Sequence, residues 1–142
     1  MTIKKPYYTV LDHTADLGIQ VYGKSLKNLF ENAGMALMHL MVKGKSLEKT
    51  SPKSISISGE DLCDLMVRWL GELLYLFEGE NLLVSSINIG YISDTRLEAS
   101  LETIHLNPKA HEILSEIKAV TYHQIEVADK GDHWEAKVIL DL

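Results

Sequence analysis

Ser58-Gly59-Glu60-Asp61-Leu62-Cys63-Asp64-Leu65-Met66-Val67-Arg68-Trp69-Leu70-Gly71-Glu72-Leu73-Leu74-Tyr75-Leu76-Phe77-Glu78-Gly79 reads as an amphipathic helix, and that reading decides the fold. Leu62, Met66, Trp69, Leu70, Leu73, Leu76 and Phe77 recur at three- and four-residue spacing as a broad apolar face, while Asp61, Asp64, Arg68, Glu72 and Tyr75 line the other side. The run Ser58-Gly59-Glu60-Asp61 has the spacing of a capping box, and Gly79 is the expected stop. A helix with one wide apolar face must lay it against a second layer.

Toward the N-terminus, Ile55 and Ile57 alternate with serines as a short strand. Ser25 is placed to cap another helix whose Leu26, Leu29, Phe30, Ala33, Leu37, Leu40 and Met41 share a face, and Lys43-Gly44-Lys45 suits its C-terminus. Leu17, Ile19 and Val21 alternate with Gly18, Gln20 and Tyr22, the period-2 pattern of a half-buried strand that Gly23 ends. Toward the C-terminus, Ile87, Ile89 and Tyr91, then Leu97, Ala99 and Leu101, alternate around a hairpin turn at Ser93-Asp94-Thr95. Asn107-Pro108 suits a short helical turn. A strand from about Ile117 to Val127, a turn at Asp129-Lys130-Gly131-Asp132 and a strand with Trp134, Ala136, Val138 and Leu140 on one face follow. The mixture has no regular βαβ rhythm. The expected fold class is therefore α+β, a single domain over residues 1–142 with a mixed, mainly antiparallel sheet and two amphipathic helices packed on one face.

Composition narrows the function classes. Of the 142 residues, 46% are apolar and 24% charged, as in soluble globular proteins. No apolar run approaches the roughly 20 residues that span a bilayer, and the first residues lack the apolar core of a signal peptide. A cytoplasmic location without membrane contact is expected. Cys63, the sole cysteine, rules out an internal disulfide and reads as a packing residue among Leu62, Leu65 and Met66. The net charge of −6 argues against a grip on DNA or RNA phosphates, so any RNA contact is expected to be indirect. The six histidines show no zinc spacing, and no phosphate-binding loop or nucleophile elbow is present. The chain is poorly equipped as an enzyme.

Polar density concentrates in Leu11-Asp12-His13-Thr14-Ala15-Asp16-Leu17-Gly18, a loop leading into a strand. In one reading Asp16 and Thr14 satisfy backbone N–H groups of a turn and His13 packs. In the other, Asp16 binds a cation. A second oxygen cluster, Asp141 with the carboxylate of Leu142, follows an apolar strand and is either a frayed end or an end held in a sheet. If the two clusters meet, Asp16, Asp141 and Leu142 give an all-oxygen site suited to a hard divalent cation, which would offset their mutual repulsion. Lys118-Ala119-Val120-Thr121-Tyr122-His123 sets a basic group, a phenol and an imidazole on alternating faces of one strand, either a wet face or a contact surface.

Four ordered blocks resemble the archease family: Leu11-Asp12-His13-Thr14-Ala15-Asp16-Leu17-Gly18-Ile19 running on to Tyr22-Gly23; Glu60-Asp61-Leu62 followed by Trp69-Leu70-Gly71-Glu72-Leu73-Leu74-Tyr75-Leu76-Phe77; Lys118-Ala119-Val120-Thr121-Tyr122-His123; and Val138-Ile139-Leu140-Asp141-Leu142. The resemblance implies a strand-helix-strand-strand type α+β domain and a protein cofactor rather than an enzyme. It implies an activator of the RtcB-type tRNA-splicing ligase, promoting ligase guanylylation and multiple turnover and broadening nucleotide use. It carries a divalent-cation site over to Asp16, Asp141 and the main-chain oxygens of Leu142, with Ca²⁺ the expected ion and Mg²⁺ or Mn²⁺ as alternatives. Asp12 and His13 become candidates for supporting the site, and Lys118, Tyr122 and His123 for partner contact. The competing functions are a small metal-dependent phosphoesterase or nuclease and a chaperone-like protein-binding module.

Overall fold

The computed structural model describes residues 7–11, 16–44 and 48–142. Along the chain these form β1 (Tyr8–Leu11), β2 (Asp16–Gly23), α1 (Leu26–Met41), β3 (Val42–Lys43), β4 (Ser51–Ser58), α2 (Leu62–Glu80), β5 (Leu82–Ile92), β6 (Arg96–His105), β7 (Glu112–Ile113), β8 (Ala119–Val120), β9 (Glu126–Asp129) and β10 (Trp134–Asp141). The fold is α+β, with two helices and strands that pair antiparallel throughout. The strands divide among three sheets. A five-stranded sheet runs β1-β2-β10-β8 with β9 also on β10, a three-stranded sheet runs β4-β6-β5, and β3 pairs with β7.

Period-2 patterning makes the layers. Ile19 and Val21 of β2, with Ala136, Val138 and Leu140 of β10, are buried on the face turned to the core. Leu97, Ala99 and Leu101 do the same for β6. Between these surfaces lie the apolar faces of both helices, with Leu29, Phe30, Ala33 and Leu37 of α1 against Leu65, Trp69, Leu70 and Leu73 of α2 in one cluster. Each such side chain contributes roughly 1.5–3 kcal/mol when fully buried. Trp69 is wholly buried, and its Nε1–H donates to the Phe30 carbonyl at 2.8 Å, so the largest core side chain also ties the two helices together. Gly23 lets α1 start close against the end of β2, because a Cβ there would lie 2.4 Å from the Leu29 nitrogen.

Several boundaries differ from the sequence expectation for local reasons. Ser25 caps α1 as expected, its Oγ accepting from Asn28 N–H at 3.1 Å. On α2 the cap sits three residues later than Ser58: Asp61 accepts from Asp64 N–H at 2.8 Å, and Asp64 reaches back to Glu60 N–H at 2.8 Å. Both carboxylates then lie at the positive end of the helix dipole. Gly79 does not stop α2, which runs on to Asn81, a left-handed cap at φ 56°. Around the β5–β6 hairpin, an irregularity between Ile89 and Tyr91 breaks the alternation. Tyr91 is thereby 48% exposed, with Arg96 5.2 Å above its ring.

The expected strand from Ile117 to Val127 is broken. Only Ala119–Val120 and Glu126–Asp129 pair, and between them Gln124 takes φ 53°. Thr121 causes the break. Its N–H and its Oγ both donate to the Ile139 carbonyl, and its Oγ accepts from His123 N–H, folding the chain into a turn. Lys118, Tyr122 and His123 therefore do not share one strand.

Candidate functional site

The β2–β10 ladder decides where the acidic residues go. Its register pairs Trp134 with Gly23 and then every residue in step to Leu140 with Leu17 and Asp141 with Asp16. Leu17 and Leu140 turn toward the core, so their neighbours Asp16 and Asp141 share the opposite face. Directly opposed residues of an antiparallel pair hold their Cβ atoms about 4.5–5.5 Å apart, and two like charges so placed repel. Two segments more than 120 residues apart in sequence thus bring two carboxylates together.

The end of β10 is held on both sides rather than frayed. Asp141 pairs with Ala119 of β8 as well as with Asp16, and its carbonyl accepts from Lys118 N–H at 2.7 Å. Asp16 is half-buried, while Asp141 and Leu142 are exposed. Facing carboxylates, with main-chain oxygens of Leu142 next in the chain, form a donor set of oxygens alone, which suits Ca²⁺ or Mg²⁺ better than a soft metal. Among the described residues no three His, Cys, Asp or Glu side chains come together as a metal-holding group. Among the described residues the side chains that could hold a cation here are this carboxylate pair, to which main-chain oxygens or water would add. Asp12 and His13 lie outside the described residues.

The other expected contact residues separate. Lys118 meets the end of β10 through its backbone N–H, which donates to the Asp141 carbonyl. Tyr122, 55% exposed, turns toward the start of α2 and donates to Asp64 Oδ1 at 2.6 Å. Asp64 also accepts from Arg68 Nε at 2.9 Å. The hydroxyl of Tyr122, the backbone N–H of Glu60 and Arg68 together hold the Asp64 carboxyl below the usual carboxylate range, and Asp64 in turn pushes the phenol up. His123 is exposed in the same turn. Sequence reasoning missed the Tyr122–Asp64 link; only its Asp64–Arg68 half, four residues apart on a helix, carried a local signal.

A second polar group was also missed. His133 lies between Asp132 and Glu135, with its Nδ1 and Nε2 each 2.6 Å from a carboxylate oxygen, and Gln20 of β2 donates to the other oxygen of Glu135 at 3.1 Å. Cys63 is half-buried with its Sγ 3.9 Å from the Ile125 carbonyl, and burial pushes its thiol up, away from a reactive thiolate. Among the described residues no helix is long and apolar enough to cross a membrane.

A sequence model of the archease protein family matches residues 8–142. The chain is 35% identical over 147 residues to a protein archease of Methanosarcina barkeri, spanning 100% of both chains. It is 34% identical over 139 residues to a protein archease of Methanosarcina acetivorans, spanning 95% of each. Its fold is similar to the solution structure of a Methanobacterium thermoautotrophicum protein, with a TM-score of 0.81 at 33% identity over 97% of this chain and 100% of that one. A crystal structure of an archease from Thermotoga maritima, described as a possible chaperone, shares the fold with a TM-score of 0.66 at 23% identity over 100% of this chain and 99% of that one.

Proposed function

The chain belongs to the archease family, and we propose that it activates an RtcB-type tRNA-splicing ligase, with Asp16, Asp141 and the main-chain oxygens of Leu142 holding a divalent cation. In this reading the protein promotes guanylylation of the ligase, supports multiple turnover and broadens its nucleotide use, while the ligase carries out the bond chemistry. Calcium is the cation we assign, and Mg²⁺ or Mn²⁺ would accept the same oxygens. RNA contact is made through the ligase, in keeping with the net charge of −6.

One observation carries the reading: the register that sets Asp16 opposite Asp141. Opposed carboxylates repel, and a sheet that places them so uses their charge for something other than its own stability. A bound cation supplies positive charge that offsets this repulsion and can be offered to an anionic group of the ligase–nucleotide complex. The residues of this chain do the rest. Leu140, buried in the core, and Leu17, partly buried against it, anchor the two strand ends, and the Lys118 N–H fixes the Asp141 carbonyl from the far side.

The test is a ligase guanylylation assay with the wild-type protein, Asp16→Ala and Asp141→Ala, each variant first shown to be folded. Loss of stimulation by both supports the reading; full stimulation by both overturns it. Phosphodiester turnover by this protein without ligase would instead support a metal-dependent phosphoesterase.

A further inference from the structure

The two edges of the sheet β4-β6-β5 are finished differently. Along β5 lies α1, and the Ile89 N–H, turned away from β6, donates to the Glu31 carboxylate of that helix at 2.9 Å. On the other edge, β4 pairs with β6 alone among the described residues. An unpaired strand edge is a row of N–H and C=O groups ready to take another strand, and folds commonly blunt it with Pro or Lys.

The ladder fixes which groups of β4 form that row. Gly59 N–H donates to the Thr95 carbonyl at 2.9 Å, continuing the register in which Ser58 faces Arg96. Residues bonded to the neighbouring strand alternate with residues that are not. Ile57, Ile55 and Lys53 therefore bond to β6, while Ser58, Ser56, Ser54 and Pro52 turn their N–H and C=O groups outward. Pro52 agrees with this parity, since a residue with no N–H to donate is confined to the open side of an edge strand. Side chains divide the same way: Ile55 and Ile57 are half-buried against the core, and Ser54, Ser56 and Ser58 are exposed. Blunting residues occupy one end only, as Pro52 and Lys53. Ser54-Ile55-Ser56-Ile57-Ser58 carries no Pro, no charge and no bulky outward side chain.

We propose that this edge is the interface of a homodimer, in which β4 pairs antiparallel with β4 of a second copy about a two-fold axis at Ser56 and the two three-stranded sheets become one. A two-fold axis makes a strand its own antiparallel partner, so the surface need only complement itself. Centred on Ser56, the pairing sets Ser54 opposite Ser58 of the other copy and Ser56 opposite its equivalent. Each outward serine N–H then meets an outward serine carbonyl, and none in the row is left over. Charge fits as well. Lys53 of each copy arrives beside Gly59 and Glu60 of the other, a basic group against an acidic one, and no like charges are opposed between Ser54 and Ser58. Pro52 would face Glu60, whose N–H is already given to Asp64, so the ladder ends there on both sides. An unrelated extended peptide would find the same hydrogen bonds but none of this complementarity in charge and register.

Sedimentation of the whole wild-type chain from micromolar to submillimolar concentration is expected to show monomer giving way to dimer. Amide hydrogen exchange at the two ends of that range locates the interface. Exchange at Ser54, Ser56 and Ser58 should slow roughly tenfold or more at the higher concentration, while Ile55 and Ile57, already bonded to β6, should change far less. Two variants test the axis. Ser56→Pro removes both central bonds, and Ser56→Lys opposes two like charges there; each is expected to weaken the dimer by roughly tenfold or more. Both substitutions fall on an exposed residue whose N–H faces outward, as that of Pro52 would, and the wild-type measurements decide the matter even if a variant fails to fold. A dimer that neither folded variant weakens, or one whose three serine amides exchange as fast as in the monomer, overturns the proposal. So does a chain that stays monomeric throughout, which would leave the edge to an extended segment of another protein.

Discussion

Asp16 and Asp141 stand directly opposite each other at the end of the β2–β10 ladder, one half-buried and one exposed. Like charges so opposed work against the sheet, by about 0.2–1 kcal/mol in the absence of a counterion. Asp141→Asn is therefore expected to raise the stability of the metal-free protein by an amount in that range and, if the pair holds calcium as proposed, to abolish the calcium-dependent rise in Tm expected of the wild type. Thermal melts with chelator and with calcium read both effects. A variant that loses stability without metal and keeps the calcium-dependent rise would sink the cation assignment.

The link between Tyr122 and Asp64 spans 58 residues and pins the β8–β9 turn to the first turn of α2. Asp64 is held below the ordinary carboxylate range first by the Tyr122 hydroxyl and then by the Glu60 N–H. Its contribution to stability is present above the unfolded-state value and is lost as pH falls through the lower folded value. Tyr122→Phe is expected to move the Asp64 titration upward while leaving it below its unfolded value, because Glu60 and Arg68 remain. Carboxyl NMR titration of both proteins measures this. An Asp64 titration that does not move would show that the 2.6 Å contact does not persist in solution.

How far these features were legible depends on how local they are. The strand at Leu17–Val21, both helices, the β5–β6 hairpin and the last strand each follow from periodicity within one window, and so the α+β class was readable. Asp16 and Asp141 could each be singled out by residue type, but their opposition depends on the register of two strands at the two ends of the chain. No window contains that register. The strand over Ile117–Val127 failed because the Ile139 carbonyl captures Thr121, a contact that apolar alternation does not encode. Gly79 misled for the reverse reason: the packing of Leu76 and the left-handed cap at Asn81 outweigh the roughly 1 kcal/mol that a helical glycine costs.

Trp69 fills the centre of the core and spends its only polar atom on the Phe30 carbonyl. Trp69→Phe keeps an aromatic ring but leaves a void and takes from the Phe30 carbonyl the second donor that joins the two helices, its bond within α1 remaining. A loss of roughly 1–3 kcal/mol is expected from the void and the one lost hydrogen bond together. Urea denaturation reads it as a lower midpoint at unchanged slope. A loss below half a kilocalorie would mean that the two helices are not joined through this bond.

His133 gives the hairpin between β9 and β10 a dependence on pH. Glu135 first and Asp132 second push its imidazole above the ordinary value of 6.5 by bonding the charged form, and His133 holds the Asp132 carboxyl down in return. A raised folded-state value means that the imidazolium stabilises the folded chain. This contribution is complete below about pH 6.5 and is lost as pH rises through the higher folded value. The sign is opposite to that of Asp64, so the two groups fade at opposite ends of the pH scale. Across neutral pH, then, Tm is expected to fall with rising pH more steeply in the wild type than in His133→Gln, which keeps a polar side chain between the two acids but cannot charge. Ring-proton NMR should place the His133 titration above the ordinary imidazole value of 6.5. A His133 that titrates at or below the ordinary value, or a wild-type slope equal to that of the variant, would overturn the assignment. Gln20 adds a second check, because it donates from β2 to the other oxygen of Glu135. Deprotonation of His133 should therefore also move the Gln20 side-chain amide signals, and it should leave the Asp16–Asp141 end of the same ladder unmoved.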